Sequence, residues 1–205
     1  MDRKLYTAAR SRGFCCEWLL EEIGAPYEVA RVDLASGEAR SEEHRAIHPL
    51  GAVPALTVNG APMFESVAIC IFLADCAADK GLAPELTHPD RANYLQWMVY
   101  AVATLEPQIA APYIRSLQLP RSAWLDIATD DECAAFEVLL EPLRQGIQRG
   151  HMVPGGFSAA DVMVGSELYW ASQVGLLAPF AWTHRYLDSL MSRPAFQSAM
   201  VFDLA

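Results

Sequence analysis

The sequence predicts two parts of different class: an α/β layer domain over residues 1–80, then an all-helical domain over 91–205. Three observations carry this. Up to about residue 80, short runs of period-2 alternation interleave with 3.6-residue apolar periodicity. A stretch crowded with turn formers, "DKGLAPELTHPDR", follows and contains the linker, 81–90. Beyond it the strand pattern fades and four long segments carry helical periodicity only.

Each element has its own justification. "KLYTA" reads as a short strand. "GFCCEWLLEEIG" is a helix with Phe14, Trp18, Leu19 and Ile23 on one face and Gly24 as its stop. "YEVARVDL" is a strand and "GEARSEEHRAI" a charged surface helix. "PALTVNG" and "APMFE" form a hairpin around Asn59-Gly60. "SVAICIFLADCAA" is a helix apolar nearly all round, which predicts burial on both sides. The order is β-α-β-α-β-β-α, one layered α/β unit. In the second part "ANYLQWMVYAVATLEPQIAAPYI", "ECAAFEVLLEPLRQGIQ", "AADVMVGSELYWASQVG" and "HRYLDSLMSRPAFQSAM" are helices, with kinks or breaks expected at Pro107 and Pro142.

Composition narrows the function. The 205 residues are 53% hydrophobic with a formal net charge of -10. Such a chain buries a sizeable core, and its charge argues against nucleic acid or an anionic membrane as partner. The start, "MDRKLYTAAR", has no apolar core of a signal peptide, and the most apolar run is too short to span a bilayer and carries Asp75. A cytoplasmic location is expected. The five cysteines, Cys15, Cys16, Cys70, Cys76 and Cys133, have no zinc-type spacing, and most of them read as small buried hydrophobes. His44 and His48 share a helical spacing without a third ligand, so no metal is expected.

Three short stretches can carry chemistry. In "HPLGAVPALTVNG", Pro54 opens a strand where it has no N–H to give. Taken alone, the dipeptide fits a trans proline on an edge strand. A cis bond would turn the backbone of Val53 toward an extended, peptide-like ligand added to the sheet. In "FESVAI", Ser66 is the cap or first residue of the apolar helix, whose N–H groups and dipole suit a carboxylate; Glu65 suits an ammonium. In "YTAARSRGF", Thr7 and Ser11 bring hydroxyls to the start of the first helix, where a thiolate is favoured by dipole and hydrogen bond.

The pieces "LYTAARSRGFCCEWLLEEIGAPYEV", "HPLGAVPALTVNG", "FESVAICIFLAD" and "GGFSAADVMVG", in this order, resemble a cytosolic glutathione S-transferase over nearly the whole chain. The resemblance implies a thioredoxin-like domain plus a helical domain, with a cis Pro54. Val53 would pair its backbone with the cysteinyl part of glutathione, the co-substrate, and Glu65 and Ser66 would hold the γ-glutamyl end. It implies Ser11 as the thiolate-stabilising residue, with Thr7 in reserve. The family's tyrosine position falls on Thr7, and the cysteine of the bacterial beta-like pattern falls on Arg12. Ala52 stands where relatives place a basic or amide side chain for the glycine carboxylate; Arg10, Arg12, Arg40 or His48 would compensate. A small apolar electrophile would sit between domains against Tyr100, Thr104 and Tyr113. "FSAAD" fits the family's folding motif, a capping box of Ser158 and Asp161 with a structural role. A homodimeric transferase is implied. Its rivals are a glutathione-dependent isomerase or ether-cleaving lyase, and a non-catalytic binding module of the same fold.

Overall fold

Leu5 is fully buried in a five-residue strand whose sides alternate buried and half-buried, and around it a mixed sheet assembles. In the computed structural model, which describes residues 1–203, β1 (Arg3–Thr7) runs parallel to β2 (Glu28–Arg31) and antiparallel to β3 (Ala55–Val58). β3 turns into β4 (Ala61–Phe64), and the strand order is β2-β1-β3-β4. The β3–β4 turn uses Asn59 (φ 49°) and Gly60 (φ 81°), the pair of positive φ values that a two-residue hairpin of this hand requires.

The β1–β2 crossover is α1 (Gly13–Ile23), which stops at Gly24 in a left-handed conformation. Nine of its eleven residues are buried, including Phe14, Cys15, Cys16 and Trp18. The expected charged helix after β2 is instead a 3₁₀ turn, Glu38–Arg40, and a one-turn helix, α2 (Glu42–Arg45). Ser41, extended (φ -61°, ψ 156°), separates them, and its hydroxyl caps α2 by accepting from His44 N–H at 3.1 Å. A capping serine in the middle of a charged run competes with helix continuation.

The apolar helix is α3 (Ser66–Cys76). It is not buried on both sides: Ile69, Cys70, Leu73 and Ala74 are covered, while Ala68, Asp75 and Cys76 are exposed. Its evenly apolar sequence says nothing about facing, and packing on the sheet and α1 selects one stripe.

The chain divides into two compact units, Met1–Gly81 joined by the segment from Ser192, and Leu82–Met191. The boundaries expected from the sequence gave 81–90 to a linker and everything from 91 to the helical domain. The final helix, α10 (Pro194–Asp203), belongs to the first unit. There Phe196 lies edge-on to Phe14 and Trp18, with ring centroids 5.2 and 4.9 Å away. Arg193 forks onto Glu22 of α1 at 2.6 and 2.8 Å. Periodicity announces a helix but not the surface that its apolar face will cover.

In the second unit α4 (Arg91–Tyr100) passes through a π-helical stretch, Ala101–Leu105, into α5 (Glu106–Ser116). Pro107 lies in the first turn of α5, where its missing N–H costs least. α6 (Asp130–Leu140) gives way at Pro142, in a 3₁₀ turn, to α7 (Arg144–Arg149). α8 (Ala159–Gln173) is the buried centre, and α9 (His184–Met191) completes the unit.

The start of α8 is a closed hydrogen-bond cluster. Ser158 caps the helix and Asp161 reaches back to Ser158 N–H at 2.9 Å, the capping box. Asp161 is fully buried and also accepts from Met152 N–H (2.8 Å), the Ser158 hydroxyl (3.2 Å) and the Tyr186 hydroxyl (2.8 Å). Burial pushes its pKa up against those donors, which pull it down. No described helix is long and apolar enough to cross a membrane.

Candidate functional site

The Val53–Pro54 peptide is cis. The ladder begins one residue later, where Ala55 pairs with Tyr6 and with Phe64, so Val53 lies outside every strand pairing. The loop that delivers it is fixed from below by a histidine whose spacing in the sequence suggested only a shared helix face. His44 is buried, and its Nε2 lies 2.8 Å from the Ala52 carbonyl. Gly51 (φ 61°) lets the same loop graze the Ala39 carbonyl; a Cβ there would lie 2.6 Å from that oxygen. The i, i+4 spacing of His44 and His48 was visible, but only the fold aims one ring at the loop. His48 is buried too, its Nδ1 accepting from Leu50 N–H at 3.3 Å and its ring 4.9 Å from Phe64.

Next to the cis bond, β4 ends at Phe64 and α3 begins. Glu65 is exposed and adopts φ 73°, a conformation costly for any residue with a Cβ. Its carbonyl already accepts the first helical bond, from Ile69 N–H at 2.9 Å, so Ser66 is the first helical residue and Glu65 the cap. The Glu65 side chain makes no capping bond. The Ser66 hydroxyl instead meets Arg12, whose Nε is 3.4 Å away. Arg12 and Ser66, 54 residues apart, were separate candidates in the sequence and are neighbours in space.

At the start of α1, Thr7 and Ser11 come together with hydroxyl oxygens 3.5 Å apart. Ser11 donates to the Ala8 carbonyl at 2.6 Å and accepts from Gly13 N–H at 3.1 Å. Its oxygen is thus held at the positive end of the helix and stays half-exposed. Thr7 is only 1% exposed and lies beneath. Gly13 explains how they fit: a Cβ there would lie 1.7 Å from Thr7 Oγ1 and 2.6 Å from Thr7 Cβ. No sequence signal marked Gly13, because the crowding is with a residue of another element.

Arg10 is exposed with φ 55°, and Arg40 is exposed at the end of its 3₁₀ turn. In the helical unit, Tyr100 donates its hydroxyl to the Leu139 carbonyl at 2.9 Å, and burial pushes its pKa up. Tyr113 stacks edge-on against Trp124 and Trp170, and Thr104 lies half-buried in the π-helical stretch.

One cluster was not foreseen. Cys15 and Cys16 of α1 and Cys70 of α3, all buried, bring their sulfurs within 4.8 Å of one another. Cys15 Sγ lies 3.1 Å from the Arg12 carbonyl and Cys16 Sγ 3.9 Å from Cys70 Sγ. Hydrogen bonds from Cys16 and Cys70, helped by the charge of Arg12, pull the Cys15 thiol well down, while those with Cys15 and burial push Cys16 and Cys70 up. The sequence showed Cys15-Cys16 as an isolated pair; the third sulfur arrives through α1–α3 packing.

The family model described as Glutathione S-transferase, N-terminal domain, matches residues 1–75. Over 203 residues the chain is 25% identical to Glutathione S-transferase GST-4.5 of Xanthomonas campestris, covering 98% of this chain and 93% of that protein. It is 28% identical over 163 residues to Maleylacetoacetate isomerase of Rhizobium meliloti, covering 76% of this chain and 71% of that one. A sphingomonad glutathione S-transferase complexed with glutathione has a TM-score of 0.79 at 28% identity, covering 98% of this chain and 100% of that chain. With its four-stranded thioredoxin-like unit, its helical unit and these likenesses at both the sequence and structure level, the chain belongs to the cytosolic glutathione S-transferase superfamily.

Proposed function

We propose that this protein is a glutathione transferase that binds glutathione, stabilises its thiolate and adds it to a small apolar electrophile. The observation that carries the reading is the convergence of three features in one unit. These are a cis-proline loop outside the ladder, a helix start with Glu65 and Ser66 beside it, and a half-exposed serine at the start of α1. The backbone of Val53, leading into Pro54, takes the cysteinyl residue as an added strand. The first N–H groups of α3 and the Ser66 hydroxyl bind the γ-glutamyl carboxylate, and Glu65 takes its ammonium. Arg12, held beside Ser66, adds positive charge that an acidic protein needs to attract an anionic tripeptide. Arg10 and Arg40 are further sources of charge for the glycine carboxylate. His48 is the weakest of the set, because its Nδ1 is already an acceptor for Leu50 N–H.

Ser11 stabilises the thiolate. Its proton, given to Ala8 in the resting structure, swings to the sulfur when a thiolate arrives, while Gly13 N–H keeps the oxygen in place. Thr7 orients Ser11 from beneath. On the electrophile's side Thr104 offers a hydroxyl, and Tyr113 joins it. Tyr100 offers its ring, since the Leu139 carbonyl takes its hydroxyl. A homodimer and a cytoplasmic location belong to the same reading.

A free thiol titrates near ~8.5, and one charge-assisted hydrogen bond is on the scale of the about 1.4 kcal/mol that lowers a pKa by one. Following the ultraviolet absorbance of bound glutathione against pH, we expect a lowered thiol pKa that rises by about 1 in Ser11→Ala. A lowered value unmoved by that change transfers the role to Thr7 or to backbone N–H groups. Failure of glutathione to bind favours a non-catalytic module. The Glu65→Gln variant is expected to bind glutathione about tenfold more weakly, ~1.4 kcal/mol, by calorimetric titration. Its melting temperature should be unchanged because the side chain is exposed. Unchanged affinity would overturn the ammonium assignment.

The similarity to Maleylacetoacetate isomerase favours a second reading, glutathione-dependent isomerisation. Conjugation consumes glutathione stoichiometrically and isomerisation returns it, so the free thiol remaining after turnover separates the two.

A further inference from the structure

We propose that Cys15, Cys16 and Cys70 form a buried three-sulfur site for a soft, low-coordinate cation of the copper(I) type. The inference is independent of the glutathione reading.

Geometry is the first argument. Three sulfurs in a trigonal plane around a metal, with bonds of about 2.3 Å, lie about 4 Å apart. Cys16 and Cys70 are already 3.9 Å apart, and all three sulfurs lie within 4.8 Å of one another. Closing the widest pair to that spacing needs less than about 1 ångström of movement.

The donor set selects the ion. Thiolates favour soft metals, whereas a structural zinc site wants a fourth ligand. Among the described residues no further Cys, His, Asp or Glu joins the three sulfurs. Cys16 and Cys70 are 0% exposed and Cys15 3%, so the surroundings are close-packed protein, ill suited to a metal-bound water as fourth ligand. Three sulfurs in a dry setting suit a d¹⁰ cation content with three ligands.

Charge is the third argument. Thiolates buried without compensation are costly. Cys15 and Cys16 lie in the first turns of α1, where the dipole is positive, and the Arg12 guanidinium acts electrostatically on both Cys15 and Cys70. Binding is a coordination step. The cation enters as Cu⁺, the coordinating thiols release their protons to solvent, and no electron changes hands. The ion would clamp α1 to α3.

The test offers copper(I), as its coloured bicinchoninate complex, to the full-length reduced protein without oxygen. One copper per chain should transfer, with a first shell of three sulfurs in the copper X-ray absorption spectrum. The Cys76→Ser/Cys133→Ser double variant, which removes the more accessible thiols, should behave like wild type. Cys70→Ala should bind at least tenfold more weakly. No transfer to wild type would overturn the site, as would transfer abolished in the double variant, a shell of nitrogen or oxygen, or undiminished binding in Cys70→Ala. Should Cys70→Ala fail to fold, the wild-type spectrum and the double variant still decide.

Discussion

Asp161→Ala is expected to destabilise the protein by about 4 kcal/mol or more, a large part of a typical domain's ~5–15 kcal/mol. The side chain is fully buried and satisfies Met152 N–H, Ser158 N–H and the Ser158 and Tyr186 hydroxyls at 2.8–3.2 Å. Alanine strands those donors in the buried interior, at about 1–3 kcal/mol for each buried group left unpaired. The network joins the loop at Met152, the start of α8 and α9 within one unit, so its loss loosens three segments at once. Asp161→Asn keeps one acceptor oxygen but turns an NH₂ toward donors, and should fall between. Ser158→Ala removes the cap and one donor, and should cost about 1 kcal/mol. Urea denaturation of the three variants checks the order. An Asp161→Ala protein within about 0.5 kcal/mol of wild type would show that the cluster does not hold this unit together.

Gly13→Ala should cost about 2–3 kcal/mol and also disturb thiolate stabilisation. The added Cβ would lie 1.7 Å from Thr7 Oγ1 and 2.6 Å from Thr7 Cβ, far inside contact distance. Thr7 is buried and cannot swing into solvent, so either β1 or the start of α1 must shift. A shift there moves Ser11, whose oxygen is positioned by Gly13 N–H. The expected result is a lower denaturation midpoint and a higher thiol pKa for bound glutathione. A double-mutant cycle identifies the clash. Thr7→Ala removes the 1.7 Å contact but leaves the 2.6 Å one, whereas Thr7→Gly removes both. The stabilising coupling should therefore be larger for Thr7→Gly. Wild-type stability in Gly13→Ala would mean that the turn has room the geometry denies.

Much was legible along the chain because it depends on neighbours in sequence. The alternation in "PALTVNG", the positive-φ pair Asn59-Gly60 and the stop at Gly24 are local, and each appears in its place. The capping box of Ser158 and Asp161 is likewise an i, i+3 relation. The charged run after β2 failed as one helix because Ser41, a good cap, interrupts it. Evenly apolar α3 failed as an all-round buried helix because hydrophobicity without periodicity names no face.

By itself, then, the sequence determined the order of elements and the two-part class, since these rest on local periodicity, caps and turns. Only the tertiary structure decided which residues meet. Arg12 with Ser66, Gly13 against Thr7, His44 under Ala52 and α10 on α1 all join positions from different elements. The third sulfur beside Cys15 and Cys16 belongs with them. Such pairings follow from how layers pack, and packing is set by all the faces together rather than by the spacing within any one segment.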